Sequence, residues 1–339
     1  MSTESNPASK PISSLDIAWE GWNVAPRFCA RWKHLSLAGI GENYRVGIAI
    51  EELPPATQSA PVHYHIFEEE HIYLLEGTLT VRLGAETFAM KPGDYVCFPA
   101  GQQAGHCLLN QTEATCRYVI VGEHNANEVV VYPDTHKLLT RSLGRRALFD
   151  LRARRNYWDG EDTGLPAGEL PDDGSVSAPE PPVEPHPPIS PQNVAWEETH
   201  EGKRFGGRAK HLTYAAVGKN YHVGMLIESP APGRRLAPKH YHMLEEEHAL
   251  ILEGQVTLLL GDERYEMKPG DYVGFPAGRK IAHSFMNSGD GPCSYLMIGE
   301  HNPNDVCIYP DSNKMSVGTL GTVFDMSGVR KYWDGEDGE

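Results

Sequence analysis

The sequence of 339 residues predicts an all-β chain made of two consecutive copies of one sandwich or barrel domain. Two observations predict it. Short runs rich in Val, Ile, Tyr, Phe and Leu are cut every four to eight residues by Gly, Pro, Asn and Asp, as in YRVGIAIEELPP, HIYLLEGTLTVRLG and CRYVIVGEHN. That rhythm fits half-buried strands joined by turns and leaves no long segment with helical spacing. The second observation is that the distinctive runs of the first half return in the second at a constant offset of 177 residues.

HYHIFEEEHIYLLEG begins at His63 and HYHMLEEEHALILEG at His240, while KPGDYVCFPAG from Lys91 matches KPGDYVGFPAG from Lys268. AWE at Ala18 and Ala195, GEHN at Gly122 and Gly299, and YPD at Tyr132 and Tyr309 keep the same register. YWDGE recurs at Tyr157 and Tyr332, two residues out of step, so the second copy is slightly shorter near its end. The expected domains are residues 15–161 and 192–336. Between them, residues 162–191 hold nine of the 26 prolines and few large apolar side chains. Such a segment buries too little surface to offset its ordering entropy and reads as an extended linker.

Within each copy, EG at Glu76, LG at Leu83 and PGD at Pro92 mark tight turns between strands. Any helix is expected to be short and to lie near Arg141–Arg155, with a counterpart near Val323–Lys331. Trp158 and Trp333 in the YWDGE segments are expected to anchor that segment onto the barrel.

The formal charge of −16 repels phosphate backbones and argues against a nucleic-acid partner; Arg152, Arg154 and Arg155 read as a solvated loop. The six cysteines (Cys29, Cys97, Cys107, Cys116, Cys293, Cys307) lack CxxC spacing and read as reduced apolar residues. No apolar run approaches the roughly 20 residues that cross a bilayer, so no membrane partner is expected. The start MSTESNPASKPISSLD has no basic-then-apolar leader, and the expected location is cytoplasmic.

His63 and His65 stand two apart, so on a strand both rings leave one face while Tyr64 leaves the other. On the next strand Glu70, Ile72 and Leu74 share a face, and His71 and Tyr73 take the opposite one. Glu69 and Glu70 therefore cannot both face one interior. His106 alternates with Cys107 among apolar neighbours. Three imidazoles and a carboxylate on inward strand faces suit a divalent transition metal. The second copy offers His240, His242, Glu247 and His283 at identical separations.

These residues make each copy resemble a cupin. The first motif, H-x-H-x4-E-x6-G, is His63, His65, Glu70, Gly77 and His240, His242, Glu247, Gly254. The second, G-x5-P-x-G-x4-H-x3-N, is Gly93, Pro99, Gly101, His106, Asn110 and Gly270, Pro276, Gly278, His283, Asn287, with four residues before the histidine where two are common. The spacing to the motif glycine selects Glu70 over Glu68 or Glu69, a choice strand parity allows but does not make. The resemblance implies two tandem jelly-roll (double-stranded β-helix) barrels joined by the Pro-rich linker. It also implies one divalent transition metal in each (Fe, Mn, Zn or Ni), at the barrel mouth. The YPD and YWDGE segments resemble those of largely bacterial, mostly single-copy cupins.

His71 and His248 have the wrong parity for the same metal and read as packing or interface residues; His124 and His301 read as rim residues. Asn110 and Asn287 suit turn or supporting hydrogen bonds, and Tyr95 and Tyr272 suit core packing. Arg45 against His222 is the expected first difference between the copies. The resemblance implies a small-molecule ligand or substrate and a metal-dependent enzyme, with a dioxygenase-type oxidoreductase favoured. A metal-dependent decarboxylase, lyase or isomerase and a non-catalytic binding or sensing bicupin are the alternatives. Since single cupins often pair, the halves are expected to pack about a pseudo-two-fold axis, and a homodimer of such chains stays open.

Overall fold

Glycines at positive φ close the hairpins that build each barrel: Gly77 (φ 83°) follows strand Glu70–Glu76, and Gly84 (φ 60°) follows Leu79–Leu83. The computed structural model describes residues 10–24, 26–166, 168–171 and 185–336. In the first half a ten-stranded sheet runs Tyr95–Phe98, Glu70–Glu76, Cys116–Glu123, Val46–Leu53, Phe28–His34, Thr57–Gln58, His106–Asn110, Leu79–Leu83 and Glu86–Met90, with Glu20–Val24 added beside Phe28–His34. Its contacts are antiparallel except that of Phe28–His34 with Thr57–Gln58. The second half repeats the registers: Glu70 pairs with Phe98 and Gly122, and Glu247 with Phe275 and Gly299.

Each barrel has its own apolar interior. Leu53, Ile72, Leu74, Leu79, Val81 and Tyr118 fill the first, and Ala249, Ile251, Val256, Leu258, Phe285 and Tyr295 the second. The turn that follows Glu70–Glu76 and Glu247–Glu253, alike in both halves, is tight. A Cβ on Gly254 (φ 75°) would stand 2.4 Å from the Pro292 carbonyl oxygen and 2.8 Å from Cys293 Cα. Gly233 (φ 72°) has nothing within 4 Å. Gly254→Ala is expected to cost about 3 kcal/mol, adding overpacking to backbone strain, and Gly233→Ala about 1 kcal/mol. Urea unfolding of the two variants checks this; equal losses would show that the turn relaxes.

The faces opposite the barrel interiors meet each other. Ile48, Ile50, Val119 and Val121 of one half share a single buried core with Val223, Met225, Leu296 and Ile298 of the other. Contacts across it are reciprocal, as a pseudo-two-fold axis requires. Helix Leu35–Ile40 packs on strand Asp271–Phe275, and helix Leu212–Val217 packs on Tyr95–Phe98. Ile12 pairs with Tyr272, and Ile189 with Tyr95, so each half lends the other's sheet a short edge segment. The segment 162–191 thus ends docked on the first barrel, while Ala167 and residues 172–184 lie outside the described residues.

Two expectations are corrected. The helices fall at Leu35–Ile40 and Leu212–Val217, whereas the expected regions hold strands Ala147–Asp150 and Thr322–Asp325, the latter followed by a 3-10 turn at Met326–Gly328. The reason is hairpin pairing: Ala147–Asp150 completes its hydrogen bonds on Lys137–Thr140, and Thr322–Asp325 on Lys314–Val317. The helix starts instead where His34 Nδ1 accepts from Leu37 N, and it stops at Gly41 (φ 91°). Trp333 does not anchor its segment, being 74% exposed. It stands edge-on to Tyr332, as Trp158 does to Tyr157.

All six cysteines are free. Asn110 Nδ2 donates to the carbonyls of Leu53 and Ala114, and Asn287 Nδ2 to those of Pro230 and Gly291, so both asparagines tie off turns. Among the described residues no helix is long and apolar enough to cross a membrane.

Candidate metal centres

Backbone pairing brings the motif histidines together. His63 and His106 form an antiparallel bridge, N to O 3.0 and 2.7 Å, and His240 and His283 form the same bridge at 3.1 and 2.8 Å. His65 sits on the two-residue strand Tyr64–His65, hydrogen-bonded to Val129–Tyr132. Glu70 opens its strand opposite Phe98, whose ring stacks on His106 with centroids 3.7 Å apart; Phe275 holds His283 likewise. The imidazoles are thereby oriented before any ligand is considered.

In the first barrel Glu70 carboxylate oxygens lie 4.0 Å from His63 Nε2, 3.3 Å from His65 Nε2 and 3.7 Å from His106 Nε2. One donor atom from each of the four lies within 4.8 Å of all the others. In the second, Glu247 Oε2 lies 3.9 Å from His240, 3.4 Å from His242 and 3.1 Å from His283. The far sides of four rings are engaged elsewhere. His63 Nδ1 bonds the Pro61 carbonyl (2.8 Å) and His240 Nδ1 that of Pro238 (2.7 Å). His65 Nδ1 meets Glu128 (3.2 Å), and His242 Nδ1 meets Asp305 (2.6 Å). An Nδ1–H used in this way leaves the Nε2 lone pair facing the centre.

Several of these facing atoms have no well-aligned hydrogen bond among the described residues: His65 Nε2, His106 Nε2, Glu247 Oε2 and His283 Nε2. Buried polar atoms without partners are costly, and a cation at the point they share would satisfy them together. The local fields agree. Burial, aided by His106, holds His63 down at about 3, and burial, aided by the neighbouring His283, holds His240 down at about 4. Burial opposes a proton on His65 too, but Glu128 and Glu70 outweigh it and raise the group to about 10. Burial would raise Glu70 as well, yet its histidine contacts keep it well below the usual carboxylate range. Such a carboxylate-rich pocket demands positive charge, which a divalent ion would supply in place of the proton on His65, and three imidazoles with one carboxylate form a fitting donor set for it.

The other residues singled out by sequence fall outside these centres. His71 and His248 are fully buried on the opposite strand face, each Nδ1 2.6 Å from a tyrosine hydroxyl, Tyr95 and Tyr272 respectively. Tyr95 also bonds Thr213 Oγ1 of the other half at 2.7 Å. His124 and His301 are exposed and stack on Tyr44 and Tyr221. Arg45 and His222 each cross to a carboxylate of the other half: Arg45 pairs with Glu300, and His222 Nδ1 lies 2.9 Å from Glu123. That pair of positions serves the interface and does not distinguish the centres.

Sequence reasoning missed Glu51 and Glu228. Each faces inward from the strand before the first motif, beside Leu53 and Pro230, and each accepts a tyrosine hydroxyl, Tyr118 at 2.7 Å for Glu51 and Tyr295 for Glu228. Burial pushes both up to about 7, with the charges of Glu70 and Glu247 adding to it. The available signal was parity: Gly47, Ala49, Glu51 and Leu53 share one strand face, and an acid recurs there in both copies. Glu128 and Asp305 were missed as well, as was Cys307, which groups with His240 and His242 where the first copy has Val130.

The cupin domain family matches residues 49–122 and 226–299. A curated relative, quercetin 2,3-dioxygenase of Bacillus subtilis, is 24% identical over 238 residues. That alignment takes in 66% of this chain and 65% of the relative, so the chain spans just under two thirds of the relative's length. A solved Acidithiobacillus ferrooxidans chain, described as a candidate sugar phosphate isomerase, is 31% identical over 38% of this chain and 80% of its own, with a TM-score of 0.36. A solved oxalate decarboxylase of Bacillus subtilis is 16% identical over 91% of this chain and 82% of its own, with a TM-score of 0.53. The last likeness spans both halves and concerns the fold.

Proposed function

The chain belongs to the cupin family, and on that premise we propose that each barrel binds a divalent transition metal and that the protein turns over a small organic molecule. The ligands are His63, His65, Glu70 and His106 in the first barrel and His240, His242, Glu247 and His283 in the second. The carrying observation is the convergence of three histidine Nε2 atoms on one carboxylate in each barrel, 3.1 to 4.0 Å away, with Nδ1 of four of those histidines tied elsewhere. A dioxygenase-type oxidoreductase is the favoured chemistry, supported by the quercetin dioxygenase relative.

A divalent ion so held supplies Lewis acidity and, when it is a redox metal, electrons. The chain's own residues do the rest. Glu128 and Asp305 keep His65 and His242 in one orientation. The Phe98 and Phe275 rings fix His106 and His283 and exclude water from one side. Glu51, bonded by Tyr118, stands in the same open pocket of about 250 Å³ as His63 and Glu70, where it can take or return a proton of a bound molecule.

The test is elemental analysis of protein purified without added metal, followed by oxygen-uptake screening against phenols and diketones. Two iron ions per chain with oxygen uptake is the expected result. Stoichiometric zinc without oxygen consumption would replace the dioxygenase with a lyase, hydrolase or binding role, and protein free of metal under all loading conditions would overturn the reading.

A further inference from the structure

The two barrels are built alike around their ligands but differ at the mouth. In the first, Trp22, Trp32 and Glu51 line one pocket with His63 and Glu70. Their alignment follows from register. Trp22 lies opposite Ala30, which makes it the diagonal neighbour of Trp32 on the same face of the ribbon formed by Glu20–Val24 and Phe28–His34. Trp32 lies directly opposite Glu51, and Glu51 directly opposite Tyr118. Two indoles, an acid and a phenol thus form one row across four strands, and the indoles and the acid share the pocket of His63 and Glu70.

The second barrel keeps the inner half of this row and replaces the outer half. Ala209 lies opposite Glu228, and Glu228 opposite Tyr295, at the same registers. Thr199 and Ala209 take the places of Trp22 and Trp32. The hairpin itself does not need the indoles, since Glu197–Glu201 pairs with Phe205–His211 without them. The tryptophan that does serve the fold is kept in both copies. Trp19 packs under Arg31 and Lys33, and Trp196 under Arg208 and Lys210, with the cations 4.3 to 4.9 Å from the ring centroids. Trp22 meanwhile stays 38% exposed at the rim of the pocket. Large flat apolar surface held in a polar-floored pocket is a recognition feature.

We propose that the first barrel alone is shaped for the flat face of an aromatic ring, with Trp22 and Trp32 as its stacking surface and Glu51 facing a hydroxyl on that ring. This rests on the metal-centre reading for the first barrel and extends it to a substrate class and to a division of labour between the halves. The second barrel, with Thr199 and Ala209 at its mouth, lacks that surface and takes smaller or non-aromatic ligands.

The experiment is calorimetric titration of zinc-loaded protein with catechol and with glycolate, which can chelate through its hydroxyl and one carboxylate oxygen but has no ring face. Metal content is measured on every sample. Trp22→Ala with Trp32→Ala is expected to weaken catechol binding about tenfold, the scale of a lost stacking contact, and to leave glycolate affinity and metal content unchanged. Trp22→Phe, which keeps a ring, is expected to stay within about twofold of the parent. Catechol binding should vanish in His63→Ala/His65→Ala and persist in His240→Ala/His242→Ala. Equal catechol affinity in the parent and the double tryptophan variant, whatever the metal content, overturns the proposal, as does catechol binding that follows the second barrel's histidines. Absence of metal from the parent protein would instead strike the metal-centre reading.

Discussion

Replacing His63 and His65 with alanine should halve the metal content, from two ions per chain to one, and leave the second barrel loaded. The expectation follows from separation of the centres: each donor set lies within its own barrel, and no described residue belongs to both. Two of four donors are removed, so the remaining Glu70 and His106 cannot complete a coordination sphere. His240→Ala/His242→Ala should give the mirror result, and the four-residue variant should bind none. Elemental analysis after gel filtration reads the stoichiometry. Two ions retained by the first variant would remove His63 and His65 from the ligand set. Loss of both ions from it would mean that the barrels load as one unit.

Glu69→Ala should be the most destabilising single change at the interface between the halves. Glu69 is only 2% exposed, and its Oε2 accepts backbone N–H groups from His222 (2.8 Å) and Val223 (3.0 Å) of the other half, with His71 beside it. Burial would raise its carboxyl, but His71 and the two amides lower it, so it is ionised in the fold. Alanine would strand the buried Val223 N–H, the half-buried His222 N–H and the buried His71. The cost is about 3–5 kcal/mol, or a fall in thermal midpoint on the order of 10 °C. Glu246→Ala, whose partners are Arg45 N (2.9 Å) and Val46 N (3.0 Å), should match it. Glu69→Gln keeps an acceptor oxygen and should lose less. If Glu69→Ala unfolds with the parent, this carboxylate adds nothing net to the shared apolar core and the other polar links between the halves.

How far the sequence carried the interpretation can be judged residue by residue. The strand face of Glu70 and the opposite face of Glu69 were legible because side chains alternate along a strand. In the fold Glu69 does turn away, into the other half. The turns at Gly77, Gly84 and Gly93 were legible because each needs positive φ. The short helices were not, since six residues capped by His34 and Gly41 carry too few turns to show a 3.6-residue period. Trp333 misled because its ring meets Tyr332 edge-on and otherwise stays in solvent, which a sequence does not distinguish from docking on the barrel.

By itself the sequence determined the duplication, the all-β class and the six histidines that gather in two groups, because spacing and strand alternation are local properties of a chain; the choice of Glu70 and Glu247 among neighbouring glutamates came from the resemblance to the cupin motif. Only the tertiary structure decided what lies beside those groups. Glu51 and Glu128 reach the first barrel's centre, and Trp22 its rim, from segments far apart in the chain, and Ile12 and Ile189 cross to the opposite half. Contacts of that kind depend on which strands pair and which faces meet, and burial of the shared core settles both.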